Sequence, residues 1–178
     1  NVDCEISSDG TVNGIKTTVL NAPNADHFLV FGKHDSSYAF ALVSKDAEGL
    51  NVTSYKTYDG FVSGDIKLDN VKSEAVFSKN DALEILTEAI LEGIISVSSE
   101  AIGAMEKCYK LTIEYTQQRE QFGQSLSKFQ ALQHRMVDMF METEFSKSFL
   151  LKVLATDDAS ERRKLVYGLK HQIAKAGK

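Results

Sequence analysis

The chain has 178 residues, 43% of them hydrophobic and 25% charged, with a net charge of −5. That is enough apolar material for one ordinary core, or for two small units. A modest acidic balance argues against a nucleic-acid partner, which calls for a basic stripe, and no run of about eighteen apolar residues marks a membrane span.

Residues 1 to about 77 read as strands. "DGTVNGIKTTVL" alternates around Val12, Ile15, Thr17 and Val19, with Asp9-Gly10 and Asn13-Gly14 as hairpin-type turns. "DHFLVFG", "YAFALVS", "AEGLNVTSYKTYDG" and "FVSGDIKLDNV" follow, each bounded by turn residues. Turn signals recur about every ten residues, the spacing of an antiparallel sandwich or barrel. No long helical pattern separates these strands, so a βαβ order is excluded. "DGFVSGD" reads as two turns rather than a phosphate cradle.

From about Ser78 the period changes from two to three and four. Ser78 or Asn80 is placed to cap a helix with Asp81 and Glu84 in its first turn. Its apolar positions are Leu83, Leu86, Ile90, Ile94, Val97, Ala101, Met105, Cys108, Leu111 and Tyr115. This predicts a helix of about ten turns, long for a globular domain. Gly93 and Gly103 lie inside it, each at a cost of roughly 1 kcal/mol relative to Ala. Close helix packing accounts for Gly103, whereas Gly93 is open to packing or to a ligand chain.

The pattern breaks at "QFGQSLS". Ser127 is placed to cap a second helix, with an apolar stripe of Phe129, Leu132, Met136, Met139 or Phe140, Thr143, Phe149 and Leu150. Asp157 or Asp158 caps a third, through "ERRKLVYGLKHQIAKAGK". The expectation is an α+β chain: an antiparallel β-barrel or sandwich over 1–78, then an incomplete antiparallel helical bundle over 79–178.

His27, His34, His134 and His171 form no metal-ligand spacing. Cys4 and Cys108 suggest neither a disulfide scaffold nor zinc. Both read as small buried hydrophobes of a cytoplasmic protein. Glu92 and Glu100, among apolar neighbours, read first as solvated helix carboxylates. The distinctive stretch is 116–139. A cation such as Arg119 complements a helix C-terminus, and that alone explains its charge. It does not explain an aromatic and a glycine at fixed offsets. A guanidinium forks onto phosphate oxygens, Phe122 offers a ring to a planar group, and Gln130 adds an amide. Together these residues suit a phosphate-bearing, planar cofactor.

"EYTQQREQFGQSLSKFQALQHRMVDM" resembles the signature of the acyl-CoA dehydrogenase family: Tyr, Arg-x-x-Phe-Gly, Phe-Gln, then Asp-Met. "SSEAIGAM" extends the likeness, as do "DGTVNGIKTTVLNAPNADHFLV" and "GDIKLDNV" in the β half. "YKTYDGFVSGDIKLDNV" is similar to a divergent branch that includes small subunits of pimeloyl-CoA-type dehydrogenases. The resemblance implies a partial chain, comprising most of a middle β-domain and the first bundle helices. It implies that Arg119, Gln121, Phe122, Phe129 and Gln130 contact FAD of a neighbouring subunit, hence a dimer or tetramer, homo- or hetero-oligomeric.

It further implies α,β-dehydrogenation of an acyl-CoA substrate, with hydride passing to FAD and then to an electron-transfer acceptor protein. The family often carries Trp and Thr on the strand against the flavin, and the matching Thr18-Val19-Leu20 has neither at the expected places. The usual catalytic Glu matches no residue here. Members with the base on the first bundle helix match Gly93. Glu92 is one residue away, about 100° around the helix, and is the catalytic candidate. A substrate-contacting Arg matches Ile94, so Gly93 and Ile94 are the substrate-binding candidates. The alternatives are a non-catalytic partner subunit that supplies dimer surface and part of the FAD site, and an interaction module whose bundle only packs.

Overall fold

The computed structural model describes residues 3–78 and 81–178. They fall into two compact units, Asn1–Leu86 and Thr87–Lys178. In the first, seven strands form one sheet: β1 (Cys4–Ile6), β2 (Thr11–Leu20), β3 (His27–His34), β4 (Ser37–Ser44), β5 (Leu50–Lys56), β6 (Val62–Lys72) and β7 (Ala75–Ser78). Their order is β5-β6-β2-β1-β3-β4-β7. The sheet is mixed and its order is open, not the all-antiparallel barrel or sandwich expected. The reason is parity. β1 turns into antiparallel β2, and β3 returns to β1's other side, so β3 must run parallel to β1 (Glu5 opposite Lys33).

The period-two pattern places the core. On β4, Ala39, Ala41 and Val43 are buried while the residues between them are not. They join Val12, Phe28, Val30, Ile66, Leu68 and Val71 in one apolar cluster. Asp9-Gly10 makes the β1–β2 turn, with Gly10 at φ 81°. Asn13-Gly14 does not turn. It sits inside β2 opposite a bulge in β6: the register shifts between Val12 and Gly14, so Asn13 alone faces Asp69 and Asn70, with Asn70 at φ 54°. Gly14 has φ 137°, and a Cβ there would lie 2.3 Å from the Asp3 carbonyl oxygen. No side chain fits so close to β1, which is why the position is glycine.

The long helix exists as α1 (Ala82–Gln118), 37 residues and about 55 Å at 1.5 Å per residue, and from Thr87 onward it belongs to the second unit. Of its candidate caps, Asn80 lies outside the described residues and Ser78 ends β7. A two-residue hairpin, β8 (Glu120–Gln121) with β9 (Gln124–Ser125), leads to α2 (Gln130–Leu154) and α3 (Ala159–Ala176). Asp158 caps α3 by accepting the Glu161 N–H at 2.7 Å. Ser127 does not cap α2. Its hydroxyl meets that of Ser125 at 3.0 Å, and Phe129 takes the N-cap position.

Cross-links fix the helix directions. Thr116 meets Met136 and Glu106 meets Lys147, so α1 and α2 are antiparallel. Gly168 meets Phe149 and Gln172 meets Glu142, so α2 and α3 are antiparallel too. Leu91, Ile95, Val153, Val166 and Leu169 form the core. On α1 this buried face is Leu91, Ile95, Ser98 and Ile102. The stripe expected to be buried is offset by one residue, and its Ile90, Val97, Leu111 and Tyr115 are exposed. Cys4 is buried, as expected, and burial pushes its thiol above the usual range. Cys108 is exposed, contrary to expectation, because it lies on that outer stripe. Gly103 also departs from expectation, since nothing lies within 4 Å of a Cβ built there. The glycine that permits close helix packing is Gly168, where a Cβ would meet the Phe149 ring at 2.9 Å.

Gly14→Ala is therefore expected to destabilise by roughly 2 kcal/mol or more, and Gly103→Ala to stabilise by about 1 kcal/mol, both read by urea unfolding. Asp9 gives a pH prediction. The Lys72 ammonium, then the Thr11 amide and hydroxyl, bonds its carboxylate and lowers its pKa from 3.8 to about 2. A depressed folded pKa stabilises above the unfolded value, and that stabilisation is lost as pH falls. Stability should decline between about pH 4 and pH 2, and Asp9→Asn should flatten that limb in acid unfolding curves.

Candidate functional site

The chain between α1 and α2 is short and tightly tied. The Arg119 N–H still bonds the Tyr115 carbonyl at 2.9 Å, closing the last turn of α1. The Arg119 carbonyl accepts from Leu126 N–H at 2.9 Å, and the Leu126 carbonyl accepts from Phe129 N–H at 3.1 Å. These bonds in series hold the end of α1 to the start of α2.

Between them the β8–β9 turn places Phe122 at φ 54° and Gly123 at φ 77°. Two positive φ values are what a type I′ hairpin turn requires. Glycine meets that without strain, whereas for a phenylalanine it costs of the order of 1–3 kcal/mol. Yet the Phe122 ring is 92% exposed. Among the described residues its ring contact is edge-on with Phe129, centroids 6.2 Å apart. The strained position thus carries a ring that packs little against the rest of the described residues.

Arg119 is exposed and has no ion-pair partner among the described residues. Phe129, at the N-cap of α2, contributes no side-chain cap, and the first turn of α2 holds no acidic residue. The opening amides of α2 thus keep their positive end free for an anion. Sequence reasoning misses this feature, because it puts Ser127 at the cap. Gln130 is exposed in that first turn, and Gln121 bonds the Glu120 carbonyl at 2.8 Å. A free guanidinium, an uncapped helix start and an exposed ring in one tied segment fit a group with phosphates and a planar ring.

Gly93 and Ile94 line an apolar groove of about 500 Å³ with Ile90, Val97, Ile173 and Ala174, and Lys170 on its wall. Among the described residues, no carboxylate lines it. Glu92 does not belong to it. Its Oε1 lies 2.7 Å from the Arg162 Nη2 of α3, and its side chain is 59% exposed. The catalytic and substrate-binding candidates are thus separated: Gly93 and Ile94 face the groove, and Glu92 is held in an ion pair.

A model of the acyl-CoA dehydrogenase C-terminal domain matches residues 81–177. The chain belongs to the acyl-CoA dehydrogenase family. Acyl-CoA dehydrogenases of this family are FAD flavoproteins. The chain is 29% identical over 151 residues to a 3-(aryl)acrylate reductase of Clostridium sporogenes, covering 79% of this chain and 40% of that one. It is 28% identical over 164 residues to the short-chain acyl-CoA dehydrogenase of Megasphaera elsdenii, covering 82% and 42%. An acyl-CoA dehydrogenase from Geobacillus kaustophilus shares the fold with a TM-score of 0.86 at 23% identity, over 99% of this chain and 51% of that one. The chain therefore spans about two fifths of the length of these curated relatives. No helix among the described residues is long and apolar enough to cross a membrane.

Because the Phe122 ring adds little to the fold, Phe122→Gly should not lower the thermal unfolding midpoint. A drop of several degrees would show that the ring supports the hairpin instead.

Proposed function

We propose that this chain is a subunit of an FAD-dependent acyl-CoA dehydrogenase. In this reading the 119–130 segment holds FAD of a neighbouring subunit in a homo- or hetero-oligomer. The observation that carries it is Arg119, without an ion-pair partner among the described residues, in one short segment with the strained, exposed Phe122 and the uncapped start of α2. Arg119 forks onto phosphate oxygens, the α2 amides add donors, Phe122 and Phe129 give apolar contact, and Gln121 and Gln130 supply amides. When bound, FAD supplies the hydride acceptor for α,β-dehydrogenation of an acyl-CoA thioester. The groove at Gly93 and Ile94 takes the acyl chain and excludes water from it. An electron-transfer acceptor protein completes the cycle.

A second reading is supported by a specific observation. The groove lacks a carboxylate among the described residues and Glu92 is committed to Arg162, which suits a partner subunit that shapes the FAD site while another chain supplies the base.

Purified full-length protein is expected to show flavin absorbance. Arg119→Ala should weaken FAD about 10- to 100-fold, the worth of a charge-assisted contact of about 1.5–3 kcal/mol. Flavin retained at wild-type affinity would sink the 119–130 assignment. Dehydrogenation assayed with an artificial electron acceptor, for this chain alone and with candidate partner chains, separates the two readings. Turnover by the chain alone that is lost in Glu92→Gln would restore Glu92 as the base.

A further inference from the structure

An ordinary surface helix is apolar toward the core and polar toward water. α3 keeps to that pattern: Val166 and Leu169 are buried, and Lys164 and His171 are exposed on the far side. α2 does not. It is buried at Thr143, Ser146 and Val153, yet large apolar side chains are exposed on the side away from them. At about 100° per residue, Val137 points about 180° from Ser146, and Met141 and Leu151 fall within about 40° of Val137. Phe140 and Phe145 flank this strip, and all five are exposed. From Val137 to Leu151 it runs about 21 Å at 1.5 Å per residue. A helix that is apolar on both sides is one that is covered on both sides.

Two features say what covers the outer side. The first is where the strip begins. Gln130, in the first turn of α2, lies about 20° from Val137 around the helix. A body that meets Gln130 and continues along α2 meets Val137, Met141 and Leu151 next. The second feature is charge. A two-fold contact sets the same patch on both chains face to face, so a patch with net charge repels its own copy. Between residues 137 and 151, the one charged side chain within about 40° of Val137 is Glu144, and Lys147 meets it at 3.2 Å. The strip is apolar and neutral, and it tolerates a copy of itself.

We propose that the outer face of α2, from Gln130 to Leu151, is a two-fold contact with a second copy of this chain, the copy whose FAD the 119–130 segment holds. The inference rests on the flavoprotein reading and adds the surface that brings the two chains together. In a two-fold contact each chain gives its segment and receives its partner's. One apolar strip therefore completes two FAD sites, and FAD affinity depends on protein concentration.

The test uses full-length protein, sedimentation equilibrium and FAD titration. Wild type is expected to self-associate. Met141→Glu and, separately, Leu151→Glu replace exposed side chains, so the fold should survive in both, as far-UV circular dichroism would show. Each is expected to weaken self-association at least about 100-fold, because an unpaired carboxylate would be buried in both copies. FAD should weaken in parallel and recover as protein concentration is raised. Leu29→Glu, at an equally exposed leucine on β3, should change neither. Self-association at wild-type strength in both α2 variants would overturn the surface and leave the flavoprotein reading standing. Wild type that is monomeric, or that assembles only with a different chain, would overturn the second copy as the occupant. Self-association lost in both α2 variants of a protein that takes up no FAD would uphold the contact and sink the flavoprotein reading.

Discussion

The β2–β6 ladder is the element on which the β unit depends, and it is interrupted twice, once with the extra residue on β6 and once with it on β2. At Gly14 the strand must pass so near β1 that a Cβ would overlap the Asp3 carbonyl oxygen. At Thr18 a hydrogen bond to Asp65 holds the backbone in place. The first irregularity carries its extra residue on β6, at Asp69-Asn70, while Gly14 on β2 accommodates the close approach of β1. The second is held by the side chains of Asp65 and Tyr55, from two other strands, on the face that carries no core. One strand thus serves packing at one end and presents an exposed surface at the other.

The helical unit follows a comparable division. α1 is apolar on two adjacent faces, and only one of them, through Leu91, Ile95 and Ile102, is buried. The face one residue round, from Ile90 to Tyr115, is largely exposed and gives Gly93 and Ile94 their groove. The two faces share the same spacing, and the sequence points to the second because it is apolar over more turns, whereas the buried one includes Ser98. Periodicity carries no information on which face a neighbour covers.

Much of the candidate site is legible in the sequence. Arg119, Phe122, Gly123 and Gln130 stand out because a cation, a ring and a glycine break a helical pattern at fixed offsets. The fold adds what a pattern cannot hold: Phe122 is strained and exposed, Arg119 is unpaired among the described residues, and α2 begins without a side-chain cap. In the β unit, the contacts of Asp65 and Tyr55 with Thr18 are not legible at all. The two lie 47 and 37 residues from Thr18 along the chain, and each is an ordinary polar residue in a strand. Glu92 looks available because its neighbours are apolar, and its pairing with Arg162 joins residues 70 positions apart.

The sequence by itself determined the succession of β then α, most strand and helix boundaries, the Asp158 cap and the family signature at 115–139. These rest on local propensity and periodicity, which act over a few residues. Tertiary structure alone decided that the sheet is mixed and open, that Asn13-Gly14 lies within β2 rather than turning, that Cys108 is exposed, and that Glu92 faces α3. Those outcomes depend on which distant backbone or side chain arrives at a given face. Such arrivals are set by strand parity, helix register and close packing across the whole unit.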